Sequence, residues 1–293
     1  MVLTKYETFL EVVKTGSMSK AAYNLHQTVP GISYGITKLE EEWGIPLFIR
    51  NKNKLVLTEE GEELASYVSE VLEAQERLEQ AVLSIKGIEK GTVRVGGLRL
   101  ANQQWLPGIM TMMKEKYPNI NIKIVLNLYE EVKKDLMEGT LDVAFGAEPT
   151  SKMLGFDYLL DDPYVAVLKK GHPLAALSQV TLDQLTKETL ILPDWNYDKN
   201  LNALIDKSRI RDQVDYFIKD AGTIVAMASH GIGVGILPRL ILTDNTKDVD
   251  FVPLKEWPVR KVGLVTSALK KPSPAAKKFI QCTREWFKIF FNS

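Results

Sequence analysis

Apolar side chains step by three and four residues along the first 85 positions, then fall into short alternating or continuous runs beyond residue 90. The first pattern predicts helices and the second predicts strands interleaved with helices. Phe9, Leu10 and Val13 share one helical face behind Thr4, a suitable N-cap. Gly16 ends that helix, and Ser17 can cap a second one carrying Ala21, Ala22 and Leu25. The two alanines let neighbouring helices approach closely. A third helix is predicted from Thr28 as N-cap, with Pro30 in the first turn, where a missing N–H is harmless. Ile32, Ile36, Leu39 and Trp43 form its buried stripe, and Ser33, Tyr34, Thr37 and Lys38 occupy the opposite face. Gly44 and Pro46 close it.

The segment "IPLFIRNKNKLVLT" then reads as strand, turn and strand, with Arg50, Lys52 and Lys54 in or beside the turn. Three helices followed by a basic hairpin are the pattern of a winged helix-turn-helix. Such a unit lays its last helix in the major groove and sets its wing against phosphates or the minor groove. From Thr58, Leu64, Val68, Val71, Gln75, Leu78, Val82 and Ile85 step by four and three. This heptad seam, with Gln75 as its polar member, predicts a long helix that pairs with a second copy.

Past "GIEKG", strands at "TVRVGGL", "NIKIVL" and "LDVAFGA" alternate with helices through "QQWLPGIMTMMKEKY" and "EEVKKDLMEG". That βαβαβ order predicts a parallel α/β unit. A second unit follows from about Leu160, and the amphipathic segment "AAKKFIQCTREWFKIFF" should return as a helix over the first.

Charge alters this picture in one respect. The chain has 37 Lys/Arg and 37 Asp/Glu, so no global field favours a polyanion. Residues 1–90 are even net acidic, because the predicted long helix is rich in glutamate. Any nucleic-acid contact must come from local placement, and the only dense positive charge of the head is Arg50, Lys52 and Lys54. The single cysteine, Cys282, excludes an internal disulfide framework and suits a reducing compartment. The N-terminal residues do not read as a signal peptide, and no run approaches the ~20 apolar residues that span a bilayer. The expectation is a cytoplasmic protein without membrane contact.

The stretch "FLEVVKTGSMSKAAYNLHQTVPGISYGITKLEEEWGIPLFIRNKNKLVLTEEGEEL" resembles the N-terminal domain of LysR-type bacterial transcriptional regulators. Gly16-Ser17, Ala21-Ala22, Leu25, Pro30, Ser33, Ile36, Leu39-Glu40, Gly44, Pro46-Leu47-Phe48, Arg50, Leu57-Thr58 and Gly61 carry the likeness. By position, the family's base- and backbone-contacting residues fall on Thr28, Pro30, Ser33, Tyr34, Thr37, Lys38 and Arg50. Two positions depart from the family: Val29 stands where a polar residue is common, and Tyr34 where Arg or His is. Val29 can meet a thymine methyl and Tyr34 a phosphate or base edge, so the operator preference should differ from that of relatives with Gln and Arg there. The likeness also implies dimerisation through the linker helix, usually antiparallel, and a dimer of dimers.

Weaker motifs, "LPGIMTMMKEKYPNI", "KKGHPLA" and "MASHGIGVGILPR", extend the likeness to the family's effector-binding domain, which is similar to type II periplasmic binding proteins. The implied organisation is a winged helix-turn-helix over 1–58, a linker helix over 59–90 and an α/β effector domain over 91–293. Within the last, subdomain I would take 91–160 and 267–293, and subdomain II 161–266. By position, the effector cleft would be lined by Leu98, Arg99, Leu100, Asn102, Ala147, Glu148, Trp195, Lys219, Asp220 and Thr223. The family often has Ser or Thr at the places of Leu98 and Leu100 to hold a carboxylate. Two leucines point instead to a larger, more apolar effector, or to none.

Other candidate chemistry is thin. His26, His172 and His230 have no ligand partners at metal spacing, and no nucleophile, base and acid set appears. "GIGVGILP" closes a helix and enters a strand, so it is no nucleotide loop. Asp161-Asp162 falls at the expected crossover and reads as hinge surface. The predicted function is a ligand-responsive regulator that binds double-stranded operator DNA, with RNA polymerase as a candidate further partner, no cofactor and no enzymatic activity. A solute-binding protein and an enzyme on the same α/β architecture are the alternatives.

Overall fold

A computed structural model describes residues 2–51, 54–97, 104–125, 131–194, 199–207, 209–242, 246–255 and 259–292. The head consists of α1 (Val2–Thr15), α2 (Met18–Asn24), α3 (Val29–Trp43) and the hairpin of β1 (Phe48–Asn51) and β2 (Lys54–Leu57). Helix α4 (Glu59–Ile85) leads out of it. Thr4 is not the N-cap of α1: the helix already runs from Val2, and the Thr4 carbonyl accepts a bond from the Thr8 hydroxyl at 2.8 Å. The other two expected caps are in place. Ser17 accepts from the Lys20 N–H and Thr28 from the Gly31 N–H, while Gly44 ends α3 with φ +69°, a left-handed conformation that glycine adopts without strain. Phe9, Val12, Ala21, Ala22, Ile32, Ile36, Leu39 and Leu47 form the head's core.

The rest of the chain folds around two five-stranded sheets. The first contains β3 (Gly91–Gly97), β4 (Ile120–Ile124), β5 (Val143–Ala147), β6 (Leu154–Asp162) and β12 (Arg260–Ser267), in the order β4-β3-β5-β12-β6. The second contains β7 (Tyr164–Lys169), β8 (Leu190–Pro193), β9 (Tyr216–Ile218), β10 (Val234–Pro238) and β11 (Val249–Pro253), in the order β11-β7-β10-β8-β9. Strands β3, β4 and β5 are parallel, as their alternation with α5 (Leu106–Lys116) and α6 (Val132–Glu138) requires. Trp105 and the apolar faces of α5 and α10 (Pro274–Asn292) cover one face of this sheet. In the second unit, α7 (Leu182–Leu185), α8 (Lys199–Lys207) and α9 (Ala221–Ser229) accompany the strands. The expected return of the terminal helix to the first unit is observed.

Two expectations about the crossover need correction. A subdomain II that extends to 266 would include the strand at 260–267. That strand lies instead between β5 and β6, antiparallel to both, and so belongs to the first sheet. Strand β6 itself has little alternation to announce it. Its pairing with β12, whose Arg260 lies 98 residues from Asp162, supplies the reason it forms. The first subdomain therefore takes 91–162 and resumes at Arg260.

Asp162 is not hinge surface either. It is fully buried where β6 leaves for the second sheet, and it accepts bonds from Arg260 Nε at 3.0 Å, Arg260 Nη2 at 2.5 Å and the Leu240 N–H at 2.9 Å. Arg260 is also buried, so both crossing segments and the turn Arg239–Ile241 of the second unit meet at one ion pair.

Candidate nucleic-acid interface

Helix α3 presents two faces. Ile32, Ile36 and Leu39 are buried against α1 and α2, whereas Ser33, Thr37 and Tyr34 stand exposed, Tyr34 by 66%. Thr28, Val29 and Pro30 extend the exposed surface over the first turn of the helix. Lys38 is half-buried and committed: its Nζ lies 2.5 Å from Glu41 Oε2 and 5.7 Å from the Tyr34 ring centroid. The hydrogen bond and charge of Glu41 hold the Lys38 ammonium above its usual pKa. A phosphate approaching this face would share the Lys38 ammonium, which has three N–H donors, with Glu41. Lys5 is likewise paired, with Glu42 at 2.7 Å.

The wing is tied to the back of α3 by a residue whose role sequence reasoning missed. Glu40 Oε1 accepts the Leu47 N–H at 2.7 Å and the Phe48 N–H at 3.2 Å. A carboxylate receiving two backbone N–H groups makes charge-assisted bonds, roughly twice as strong as neutral ones. A second tie comes from Thr58, whose hydroxyl donates to the Pro46 carbonyl at 2.8 Å and accepts from the Gly61 N–H at 2.9 Å. Gly61 has to be glycine, because a Cβ there would lie 2.5 Å from the Leu47 carbonyl oxygen. A capping pattern was legible at Thr58, but the long-range grip of Glu40 on residues 47 and 48 left no local signal. These contacts set the hairpin in register, Arg50 opposite Leu55 and Asn51 opposite Lys54. Arg50 and Lys54 are placed by backbone alone, and Lys52 lies outside the described residues.

The predicted helix seam divides. Val68 is buried and Leu64 half-buried against the head's own core, beside Leu72, so these two positions are not available to a partner. The reason is position: the first turns of α4 run beneath the head and complete its core. Val71, Leu78, Val82 and Ile85 remain exposed, by 46, 64, 43 and 87%, and Gln75 donates to Glu79 at 2.8 Å.

The predicted effector residues are only partly on view. Leu98, Arg99, Leu100, Asn102 and Trp195 lie outside the described residues. Ala147 is buried at the end of β5, and the exposed Glu148 pairs with Lys261 at 3.7 Å. Asp220 caps α9, accepting both the N–H and the hydroxyl of Thr223 at 2.8 Å, with the exposed Lys219 beside it. The N-terminus of α9 thus carries its own carboxylate, which competes with any anionic ligand for those N–H groups. Cys282 is buried in α10, and burial pushes its thiol pKa up, as suits a packing residue. Among the described residues, no His/Cys/Asp/Glu group could hold a metal ion, and no helix is long and apolar enough to cross a membrane.

Comparison with known families decides what this architecture is for. Residues 3–62 match the bacterial regulatory helix-turn-helix protein of the lysR family, and residues 86–288 match the LysR substrate-binding domain. The chain belongs to the LysR family of transcriptional regulators. Among its relatives is the HTH-type transcriptional regulator YvbU of Bacillus subtilis, 30% identical over 98% of this chain and 99% of that protein. The Hca operon transcriptional activator HcaR of Escherichia coli is 27% identical over 97% and 98%. A full-length OxyR variant from Pseudomonas aeruginosa shares the fold with a TM-score of 0.73 at 21% identity, over 99% of this chain and 95% of that one. Full-length CbnR complexed with its target DNA does so with a TM-score of 0.67 at 18% identity, over 98% and 100%. This LysR-type regulator therefore joins a helix-turn-helix DNA-binding domain to an effector-binding domain, and its relatives are regulators by name rather than enzymes.

Proposed function

We propose that this regulator reads a pseudo-palindromic operator with Ser33, Tyr34 and Thr37 of α3 in the major groove, and anchors on phosphates through Thr28, Lys38 and the wing residues Arg50, Lys52 and Lys54. The observation that supports this most directly is the two-faced α3, whose apolar stripe is spent on the head's core while its hydroxylic face is open. Pro30 pre-sets the first turn of α3, whose N-terminus would face the DNA in this docking. A band shift on the chain's own promoter region tests the reading. Sequence-selective binding is expected at moderate salt, and its absence would sink the proposal. Tyr34→Ala should alter the preferred site, whereas Arg50→Ala should weaken all sites alike and reduce the salt slope by about one phosphate contact.

The working unit is a dimer that pairs through Val71, Gln75, Leu78, Val82 and Ile85, and then a dimer of dimers. Four exposed apolar residues on one stripe of a long helix support this pairing. It also compensates for an arginine-poor head, because two linked heads raise each other's effective concentration at paired half-sites. The double substitution Leu78→Glu, Ile85→Glu should give a monomer in sedimentation at micromolar concentration, with the head still folded. A dimer that survived it would place the interface elsewhere. The effector would sit in the cleft between the two sheets, near Ala147, Glu148, Lys219, Asp220 and Thr223, and RNA polymerase is a candidate partner of the DNA-bound form. The setting is cytoplasmic.

A further inference from the structure

Helix α4 has a second face, and it is docked on the effector domain of its own chain. Glu73 Oε2 lies 3.2 Å from Lys270 Nζ, and Glu76 Oε2 lies 2.5 Å from Arg94 Nη2, which is itself close to Asp142. Gln80 is buried, its amide N–H reaching the Thr92 carbonyl and its oxygen accepting from the Ala275 N–H, both at 3.4 Å. The fit is tight on the other side as well. A Cβ at Gly139 would collide with the Glu73 carboxylate, and one at Gly91 would come within 2.7 Å of the Gln80 side chain. Glu73 is only 11% exposed, and burial raises its carboxyl pKa despite Lys270, so this charge has been drawn out of water to make the contact.

Lys270 lies just beyond the end of β12, and β12 begins at Arg260, the hinge residue paired with Asp162. One strand of about 23 Å therefore has the hinge between the subdomains at one end and the grip on the linker helix at the other. Hydrogen bonding to β5 and β6 along its length keeps it stiff. Granted an effector in the cleft, as proposed above, we propose that β12 carries the movement of the second subdomain from the Asp162–Arg260 hinge to the Glu73–Lys270 contact, and so to the linker helix. Coupling of this kind is established by non-additivity between its two ends, not by their spatial order.

Hydrogen exchange on the full-length chain, without DNA or effector, tests this. Lys270→Met should speed exchange of α4 beyond Glu73 by about tenfold, the scale expected for a partly buried charge-assisted contact, and leave the second sheet unchanged. Asp162→Asn should also speed exchange in α4, but should add nothing further in the Lys270→Met background. Should Asp162→Asn fail to fold, the paired Asp162→Leu, Arg260→Met variant takes its place at the hinge end. Two results overturn the proposal: an α4 unaffected by Lys270→Met, or a hinge effect on α4 equally large with and without Lys270. Neither depends on DNA binding, so both leave the reading of the head intact.

Discussion

Asp162→Ala is expected to destabilise the effector domain by about 3–5 kcal/mol, the cost of removing one member of a buried ion pair. Arg260 is nearly inaccessible, and its guanidinium has Asp162 as the partner of two of its bonds. Removal of the carboxylate also leaves the Leu240 N–H without its acceptor in a part-buried place. Against a typical total stability of about 5–15 kcal/mol, such a loss should appear as a large fall in the urea midpoint. The apolar pair Asp162→Leu, Arg260→Met separates charge from packing. It removes both ions together, so it should recover most of the loss. A single substitution costing less than about 1 kcal/mol would mean that water reaches the hinge and that the pair contributes as a surface bridge does.

Glu40→Ala carries the second large effect, and it falls on DNA binding. The two N–H groups it holds belong to Leu47 and Phe48, the last residue before the wing and the first within it. Hydrogen bonds to charged acceptors contribute about 1.5–3 kcal/mol. Partial solvent access reduces that here, so a stability loss of about 2 kcal/mol is expected. The wing would then lose its fixed angle to α3, and affinity should fall about tenfold on every operator sequence, without a change in preference. Glu40→Gln keeps an acceptor oxygen and should recover much of both. An alanine variant with unchanged melting and unchanged binding would show that Thr58 and the hairpin register position the wing unaided.

The head was nearly all legible in the linear order of residues because its determinants are local. Ser17, Thr28 and Gly44 act within one turn of themselves, and the stripe of Ile32, Ile36 and Leu39 is dictated by helical geometry. The outward position of Ser33, Tyr34 and Thr37 follows from the same geometry, so the candidate reading face could be named from spacing alone. Heptad spacing, by contrast, says that a stripe will be buried but not against what. Val68 satisfies the pattern by packing into its own head, and Ile85 satisfies it only if another chain arrives.

Sequence by itself determined the helices and hairpin of the head, the caps of α2 and α3, the two faces of α3, the basic turn and the family. Tertiary structure alone decided that β12 belongs to the first sheet, that Asp162 is buried beside Arg260, that Glu40 grips the wing, and that α4 docks through Glu73 and Gln80. The physical difference is range. Helix periodicity and capping act over three or four residues. A charge far along the chain becomes a partner only once the backbone has closed the distance. Asp162 and Arg260 are 98 residues apart, and Glu73 and Lys270 are 197 apart.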